Sequence, residues 1–434
     1  MIDSNRGSLF LSRRDSDSGI EDGVDIAPNL PYKFGVMYSR QIHPVPTKSF
    51  FLFGPRQTGK STYVRSLLSS EDLYIDLLPQ RSYLDYVRNP GSVREEILAH
   101  LDRHPGGKCV IDEIQKIPAL LDEVHELIES RGVRFILTGS SARKLRRGAA
   151  NLLAGRAYTY RLFPLTLMEL GERFDLDRAL RVGTLPVLWG DGREDPVEFL
   201  RSYTETYLKE EVAAEGLVRD IGPFALFLDM AAANDGETVN FSNIARECSV
   251  SSKTVQQYYQ ILEDTFLAFK LPAWKRSARR RLVSSPRYYL FDPGVTNALA
   301  HTLSESMSAS LLGRRFEQFV IGQLTAAIHY QRLDYTLHYW RTNHGAEVDV
   351  LLCTGNRIVC ALEIKASRRI ASESLTGLKS FLQDNPEVPA FVLGIQQKRR
   401  KLANGVTVMD WKDFIAEHLE SEGGGHQTRS SRRT

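Results

Sequence analysis

The sequence predicts an α/β protein made of three folded blocks, and three observations predict it. The chain has 434 residues, which at roughly 150 residues per domain suggests about three domains. Hydrophobic residues make up 42% of the chain, an ordinary globular value that excludes wholesale disorder. Strand-like and helical patterns alternate at first, turn helical from Pro196 to about Leu271, and become mixed from Phe316. We therefore place the blocks at residues 46–195, 196–305 and 306–420.

The two ends of the chain and its overall composition exclude several classes of protein. Residues 1–45, with several acids and no long apolar run, predict a flexible arm, and the arginine-ended residues 421–434 predict a disordered basic tail. No apolar run approaches the ~20 residues of a membrane helix, and no secretory signal is visible. The four cysteines form no C-x-x-C pair, and the net charge of +3 favours no particular partner. These features predict a cytoplasmic protein without a membrane segment.

The first block predicts a parallel sheet covered by helices. Strand-like runs lie at residues 49–53, 73–77, 109–111, 134–138 and 158–162, and helical patterns separate most of them. Strands that alternate with helices are typical of parallel sheets with helices on both faces. Ligands of such sheets bind at the carboxyl ends of the strands.

The segment after the first predicted strand matches a phosphate-binding loop, G-x-x-x-x-G-K-[ST], in the required strand–loop–helix context. An accidental glycine-rich turn would lack that context. Inward-pointing backbone N–H groups and the helix N-terminus attract phosphate oxygens. Lys60 would contact the β- and γ-phosphates of ATP, and the Ser61 hydroxyl would bind Mg²⁺. The predicted nucleotide-binding residues are Gly54, Pro55, Arg56, Gln57, Thr58, Gly59, Lys60, Ser61 and Thr62.

Two acids, Asp112 and Glu113, directly follow the apolar run Cys109-Val-Ile. In a parallel sheet this position is beside the phosphate loop. Asp112 would hold Mg²⁺ through water, and Glu113 would polarise the water that attacks the γ-phosphate. The alternative is two solvated acids at a strand end, which the preceding phosphate loop disfavours.

Five segments together resemble the bacterial and archaeal AAA+ ATPases that have a C-terminal domain of uncharacterised function. The resemblance covers about residues 46–415 and implies a P-loop AAA+ domain in which Thr138 or Ser140 senses the γ-phosphate. It also implies that Arg156 is an arginine finger for a neighbouring subunit in a homo-oligomer, whereas an intrachain salt bridge is the alternative. The segments are the phosphate loop, Ile111-Asp-Glu-Ile-Gln-Lys116, Leu137-Thr-Gly-Ser-Ser141, Leu153-Ala-Gly-Arg156 and Phe163-Pro-Leu165.

The middle block predicts a helical lid and a winged helix. Residues 240–249 and 251–262 form two helical patterns joined by a short turn, with Ser251 or Ser252 as the N-cap of the second. Apolar positions of the second helix would face the core, whereas its polar face could contact DNA or RNA. The basic segment ending in Arg279, Arg280 and Arg281 would form the wing. The alternative to nucleic-acid contact is that this element serves as an ATPase lid or contacts another protein. The core positions are Val255, Tyr258, Tyr259 and Leu262, and the polar ones are Lys253, Gln256, Gln257 and Gln260.

The third block predicts two acidic strands after a helix that contains Glu317. Strands at 347–352 and 358–365 would pair as a hairpin and bring Asp349 alongside Glu363, with Lys365 on the same face as Glu363. Two carboxylates that hold a metal and one lysine are what a Mg²⁺-dependent phosphodiesterase requires. The order resembles the PD-(D/E)xK nucleases, which implies a restriction-endonuclease-like fold with Glu317, Asp349 and Glu363 as metal ligands. A fold of this type can also bind nucleic acid without cutting it.

Two functions of different classes follow. The leading hypothesis is an ATP-hydrolysing, Mg²⁺-dependent module coupled to a nuclease-like domain that acts on DNA or RNA. The alternative is a nucleotide-dependent switch or assembly protein whose C-terminal block binds a partner and cuts nothing.

Overall fold

The computed structural model describes residues 37–143, 153–208, 221–275, 284–368, 370 and 375–420. Most of the predicted arm, the predicted tail and the basic segment with Arg279, Arg280 and Arg281 lie outside these residues. Among the described residues, no helix combines the length and the apolar character needed to span a membrane. The four cysteines are buried and free.

The first block is a five-stranded sheet in the order β2-β3-β4-β1-β5 whose neighbouring strands are all parallel. This confirms the predicted parallel sheet. Alternate residues of β1 enter two separate apolar clusters, Phe51 and Phe53 on one face and Phe50 and Leu52 on the other. The elements are β1 (Ser49–Phe53), α1 (Lys60–Ser66), β2 (Leu73–Asp76), α2 (Gln80–Arg88), α3 (Ser92–Arg103), β3 (Lys108–Asp112), α4 (Leu120–Arg131), β4 (Arg134–Gly139) and β5 (Ala157–Arg161).

The middle block is helical and contains a two-stranded antiparallel pair, β6 with β7, before its last helix. Leu180 and Trp189, which precede the boundary predicted at residue 195, pack in the same buried cluster as Phe227 and Tyr259. The elements are α5 (Leu167–Leu170), α6 (Leu176–Val182), α7 (Pro196–Ser202), α8 (Ile221–Ala233), α9 (Phe241–Glu247), α10 (Ser252–Asp264), β6 (Ala268–Leu271), β7 (Arg287–Leu290) and α11 (Pro293–Leu299).

The third block is a long helix followed by a mixed six-stranded sheet in the order β12-β13-β11-β10-β9-β8. Strands β8, β9 and β10 form an antiparallel meander, and β10 pairs in parallel with β11. The chain order from the long helix to β11 is therefore helix, three strands, helix, strand. The elements are α12 (Ala309–Tyr330), β8 (Thr336–Arg341), β9 (Glu347–Thr354), β10 (Arg357–Lys365), α13 (Thr376–Asp384), β11 (Ala390–Gly394), β12 (Arg400–Lys401), β13 (Thr407–Asp410) and α14 (Trp411–His418).

Helix α12 joins the blocks. Its last residues, Ala326 and Tyr330, enter the apolar cluster on one face of the first sheet, whereas Phe316 and Phe319 pack in the shared core of the other two blocks. A helix of 22 residues is about 33 Å long, enough to cross both blocks. One helix therefore packs both against the sheet that carries the phosphate loop and in the core of the block that carries the C-terminal acids.

The last part of the predicted arm is folded. Arg40 is 9% exposed and Ile42 is 3% exposed, and Ile42 packs in the same cluster as Phe50 and Leu52 of β1. The flexible arm predicted for residues 1–45 is therefore wrong for these last residues, because an ion pair and an apolar contact fix them to the first block.

Candidate functional sites

The phosphate loop curls tightly between β1 and α1. Gln57 and Gly59 have φ values of 65° and 86°, in the left-handed region, which reverses the direction of the chain. Gly54 leaves no room for a side chain, because a Cβ there would overlap the carbonyl oxygen of Leu162. These two glycines are required by the loop geometry and not only by the motif.

Lys60 is buried inside this loop. Its Nζ donates hydrogen bonds of 2.9 Å to the carbonyl oxygens of Gly54 and Pro55. The Thr58 hydroxyl donates to the Pro55 carbonyl at 2.8 Å, whereas Gln57 and Thr62 are exposed. The ammonium of Lys60 therefore lies at the centre of the curl, where the charge of a phosphate would stabilise it.

The two acids after β3 each have a partner at the end of β4. The Thr138 hydroxyl donates to Asp112 Oδ1, and the Tyr74 hydroxyl donates to Asp112 Oδ2. The Ser140 hydroxyl donates to Glu113 Oε2 at 3.3 Å. Both residues expected to sense the γ-phosphate thus contact an acid of the site.

Glu113 has a strained and well-held conformation. Its φ of 62° is left-handed, which costs a non-glycine residue on the order of 1–3 kcal/mol. Its backbone N–H donates to the Thr138 hydroxyl at 3.1 Å, and the Gln115 amide donates to its Oε2. Strain that the surroundings hold in place is typical of a residue whose orientation matters to function.

The donor set beside the loop suits Mg²⁺. Asp112 provides carboxylate oxygens, and Ser61, the second residue of α1, provides a hydroxyl. Both are hard oxygen ligands, and Mg²⁺ in phosphate sites is held by one or two such protein groups together with phosphates and water. The residues present therefore fit a nucleotide-bound magnesium ion.

Arg40, which the sequence analysis did not identify, anchors the loop. Its guanidinium donates to the Thr58 carbonyl at 2.8 Å, to Glu169 Oε1 at 2.9 Å and to the Phe163 carbonyl at 2.6 Å. A further bond of 3.2 Å reaches the hydroxyl of Tyr330 on α12. Burial alone would lower the pKa of Arg40, but its contacts with Tyr330 and with the Glu169 carboxylate raise it. One buried cation thus joins the loop, α5 and α12.

Arg156 lies at the opposite end of the sheet from its own phosphate loop. Ala157, its neighbour, pairs with Ser49 at the start of β1, whereas the loop follows Phe53 at the other end. Arg156 forms an ion pair with Glu129 of α4. The intrachain salt bridge is therefore present, and the arginine lies on the far side of the sheet from its own loop.

The C-terminal hairpin brings Asp349, Glu363 and Lys365 together as predicted from strand alternation. Leu362 pairs with Val350, so Glu363 and Asp349 are neighbours across β10 and β9. Lys365 Nζ lies 2.6 Å from Glu363 Oε1, and Asp349 Oδ2 accepts a 2.8 Å bond from the Ile364 N–H. Glu363 Oε2 is buried and accepts no hydrogen bond from the described residues.

Glu317 of α12 belongs to the same charged cluster but has different partners. Its Oε1 accepts a 2.6 Å hydrogen bond from the Tyr289 hydroxyl and lies 3.6 Å from Arg287 Nη1. Arg287 also donates to Glu347 Oε2 at 2.8 Å. Both β7 residues belong to the middle block, and no sequence signal linked them to the C-terminal acids.

Burial and mutual repulsion govern the titration of this cluster. Burial, followed by the negative charge of Asp349, raises the pKa of Glu317 and that of Glu363 to about 8 each. Burial likewise raises the pKa of Asp349. Burial alone would lower the pKa of Lys365, but the charges of Glu363 and Asp349 raise it. A cation placed beside these buried carboxylates would therefore stabilise their ionised form.

The expected three-acid metal site is not formed. Among the described residues, no group of three or more His, Cys, Asp or Glu side chains is arranged to hold a metal ion. Glu317, Asp349 and Glu363, which were predicted to share one metal, therefore do not form a ready-made set, and Glu317 instead contacts Tyr289 and Arg287. Two carboxylates, Asp349 and Glu363, remain as hard oxygen donors that fit Mg²⁺.

The helix–turn–helix of the middle block forms as predicted. Ser251 is the N-cap of α10, because its hydroxyl accepts from the Thr254 N–H at 3.0 Å. The predicted core positions are all buried: Val255, Tyr258, Tyr259 and Leu262. The predicted polar positions are all exposed: Lys253, Gln256, Gln257 and Gln260.

Comparison with known proteins divides the chain into three segments. Residues 46–171 match the family described as AAA domain, which supports a nucleotide-dependent ATPase. Residues 173–306 and 312–414 match two families described as domains of unknown function, DUF8612 and DUF4143.

The curated relatives are described as uncharacterized proteins and align with part of the chain. An uncharacterized protein of Mycobacterium tuberculosis is 27% identical over 317 residues, which covers 72% of this chain and 68% of that protein. The same values hold for an uncharacterized protein of Mycobacterium bovis. An uncharacterized protein of Haemophilus influenzae is 25% identical over 205 residues, 43% of this chain and 50% of that protein.

Two solved structures have weak similarity to the chain. A chain of Drosophila ORC bound to AT-rich DNA and Cdc6 has 11% identity and a TM-score of 0.20, with 60% of this chain and 86% of that chain covered. Caenorhabditis elegans PCH-2 has 12% identity and a TM-score of 0.20, with 50% and 61% covered. At this score neither similarity supports an argument about function.

Proposed function

We propose that this chain is an AAA+ ATPase that hydrolyses ATP with Mg²⁺ and couples hydrolysis to a nuclease-like domain that acts on nucleic acid. The observation that supports it most strongly is the arrangement of Lys60 in the curled loop with Asp112 and Glu113 bonded to the end of β4. The match of residues 46–171 to the AAA domain family agrees with it.

In this mechanism the loop N–H groups and Lys60 bind the β- and γ-phosphates. Asp112 and Ser61 would hold a Mg²⁺ ion, which when bound would supply neutralisation of phosphate charge. Glu113 would accept a hydrogen bond from the attacking water and orient it towards the γ-phosphate. Thr138 and Ser140 contact the two acids, so a change at the γ-phosphate is transmitted to the end of β4.

Measurement of ATP turnover tests this part directly. Glu113→Gln should retain nucleotide binding and lose about a hundredfold or more of kcat, because the amide orients water poorly and cannot accept its proton. Glu129→Gln is the matched control, since it changes an exposed acid of the same block. Equal turnover by both variants would contradict the role of Glu113.

The features of the C-terminal block favour a phosphodiesterase that acts on DNA or RNA. The helix–three strands–helix–strand order and the contact of Lys365 with Glu363 agree with a PD-(D/E)xK nuclease, in which Asp349 and Glu363 would hold a metal ion. A bound divalent cation would supply Lewis acidity there. Lys365 would stabilise negative charge on the scissile phosphate. The exposed face of α10 would contribute nucleic-acid contacts.

The same structure favours one alternative. Glu317 is neutralised by Arg287, and a three-acid metal set is missing from the described residues, so the C-terminal block could bind a partner without cleaving it. A Mg²⁺-dependent cleavage assay separates the two functions. Cleavage that both Asp349→Ala and Lys365→Ala abolish supports the nuclease. No cleavage of single- or double-stranded DNA or RNA by the wild type, with ATP hydrolysis retained, supports the nucleotide-dependent switch.

A further inference from the structure

Two side chains of the middle block extend into the C-terminal acid cluster. Arg287 and Tyr289 are separated by one residue on β7, so both point to the same side of the strand. Arg287 is 3% exposed and Tyr289 is 1% exposed. The tyrosine hydroxyl and the guanidinium both contact Oε1 of Glu317, at 2.6 and 3.6 Å.

The hairpin is attached to the C-terminal sheet at this point. The backbone N–H of Trp274 donates to the Tyr339 carbonyl at 2.7 Å, and the Tyr339 N–H donates to the Pro272 carbonyl at 3.0 Å. The guanidinium of Arg287 lies 4.6 Å from the centre of the Tyr339 ring. These contacts fix the position of Arg287 beside β8 independently of its ion pairs.

The acids of the cluster therefore fall into two pairs. Glu317 and Glu347 both contact Arg287, whose Nη1 lies 3.6 Å from Glu317 Oε1 and whose Nη2 lies 2.8 Å from Glu347 Oε2. Arg341 lies 3.5 Å from the same oxygen of Glu347. Asp349, on β9, accepts a hydrogen bond from the Ile364 N–H of β10, and Glu363 pairs with Lys365 of its own strand β10. Glu363 is 6% exposed, and its Oε2 is buried without a hydrogen bond among the described residues. The second pair therefore offers a buried oxygen to a further cation.

A buried guanidinium excludes a metal from the first pair. A divalent cation bound by Glu317 would lie within a few ångströms of Arg287, and two like charges at that distance repel strongly in a buried site. Removing Arg287 would instead leave Glu317 without a nearby cation in the described part of the chain, which is costly, whereas Glu347 would keep Arg341 at 3.5 Å. Arg287 thus supplies the positive charge that a second metal ion would otherwise supply beside Glu317.

We propose that Arg287 and Tyr289 are positioning residues that keep Glu317 and Glu347 out of the metal site, so that the centre binds one divalent cation through Asp349 and Glu363. This inference rests on the proposed metal-dependent function of the C-terminal block. Glu317 then stabilises the surroundings of the metal centre and is not one of its metal ligands.

Binding of Mn²⁺ to the full chain, without nucleotide, tests the proposal. All proteins compared have Asp112→Asn, which removes the other acid expected to bind a divalent ion, and free Mn²⁺ is counted by electron paramagnetic resonance. The parent protein should bind one Mn²⁺ per chain. Glu363→Gln should weaken binding by about tenfold or more, because it removes a ligand.

The matched variant is the double substitution Arg287→Gln with Glu317→Gln. It removes both partners of the Arg287–Glu317 contact and neither proposed metal ligand, so the Mn²⁺ affinity should stay within about threefold of the parent. Arg287→Gln alone adds a net negative charge and should tighten Mn²⁺ binding, whereas the loss of a merely structural residue would weaken it. Circular dichroism checks that each variant is folded.

Two outcomes contradict the inference: a folded double variant that loses Mn²⁺ as Glu363→Gln does, or two Mn²⁺ ions bound by the parent. If the double variant fails to fold, Glu317→Gln alone replaces it. A loss of Mn²⁺ affinity smaller than that of Glu363→Gln would then support the inference, and an equal loss of Mn²⁺ affinity would contradict it. A parent protein that binds no Mn²⁺ at this centre would contradict the proposed metal-dependent function itself, which separates the two failures.

Discussion

At the scale of single residues, Gln115 and Ser140 hold the acid that we assign to water activation. Both donate to Glu113 Oε2, and the Gln115 amide also donates to the Ser140 hydroxyl at 3.1 Å. These bonds fix the carboxylate orientation before any substrate binds. The chemistry at the γ-phosphate should therefore depend on Gln115 more than the binding of ATP does.

We predict that Gln115→Ala lowers kcat for ATP hydrolysis by about tenfold and leaves the Kd for ATP nearly unchanged, because it frees the carboxylate but removes no phosphate contact. Steady-state turnover and equilibrium binding measure the two quantities. Gln331→Ala, at an exposed position, is the control. A change in Kd as large as the change in kcat would argue against this role.

The sequence predicted those site residues that are fixed by local geometry. The phosphate loop and the acids after β3 lie in short motifs whose position in a parallel sheet is general, so Lys60 and Asp112 could be identified. Arg40, Tyr74 and Arg287 could not, because their partners lie 18 to 290 residues away for Arg40, 38 for Tyr74 and 60 for the Arg287 bond to Glu347. Such contacts depend on tertiary packing that has no local pattern.

At the scale of elements, a buried aspartate joins α8, β7 and α12. Asp235 Oδ1 accepts a 2.6 Å bond from the Leu290 N–H, and its Oδ2 lies 3.9 Å from Arg315. Burial raises the pKa of Asp235 from 3.8 to about 7, and the nearby charge of Arg315 does not offset it. The junction between the middle block and α12 should therefore be weaker when this acid is ionised.

The sign of the pH effect follows from this raised pKa. Between pH 3.8 and about 7 the unfolded chain ionises at Asp235 before the folded chain does, so unfolding becomes easier as the pH rises. Relative to Asp235→Asn, the wild-type free energy of unfolding should fall by about 1.4 kcal/mol per pH unit in that window and stay constant above it. Urea titrations at several pH values measure this difference. A difference independent of pH would show that the burial of Asp235 has no such cost.

The helix–turn–helix with its hairpin is the element proposed to contact nucleic acid. We predict that charge reversal of Arg279, Arg280 and Arg281 weakens DNA binding and flattens its salt dependence, because fewer counterions are released. Fluorescence anisotropy at several salt concentrations measures the slope. Reversal of the tail arginines Arg429, Arg432 and Arg433 is the matched control. Identical slopes for the wild type and the first variant would remove this segment from the binding surface.

The elements themselves were predicted unevenly. All five strands of the first sheet match within one residue at each end, since apolar runs in a parallel sheet have a strong pattern. Strands β12 and β13 and helices α13 and α14 were missed. Arg400–Lys401 is a two-residue edge strand of exposed basic residues, and such a segment pairs only because β13 is beside it.

At the scale of the whole molecule, Arg156 and the phosphate loop lie at opposite ends of one sheet. A ring of identical chains would place the arginine of one subunit near the nucleotide of the next. We predict that Arg156→Ala lowers ATP turnover by about tenfold or more, whereas Glu129→Gln, which breaks the same ion pair, does not.

Mixing experiments test whether Arg156 acts between subunits. Arg156→Ala has an intact loop and Glu113→Gln an intact arginine, so mixed oligomers should regain part of the activity that each variant lacks alone. ATPase assays on mixtures of increasing ratio measure the recovery. Strictly additive activities of the two variants would show that Arg156 serves its own chain.

The most direct test of the whole account is a titration of the purified full chain with a fluorescent ATP analogue in the presence of Mg²⁺. We predict saturable binding at one site per chain, and its loss in Lys60→Ala but not in Lys108→Ala, whose lysine lies at the start of β3 and pairs with Asp72. No saturable binding by the wild type, or equal binding by Lys60→Ala, would contradict the placement of a nucleotide in the loop.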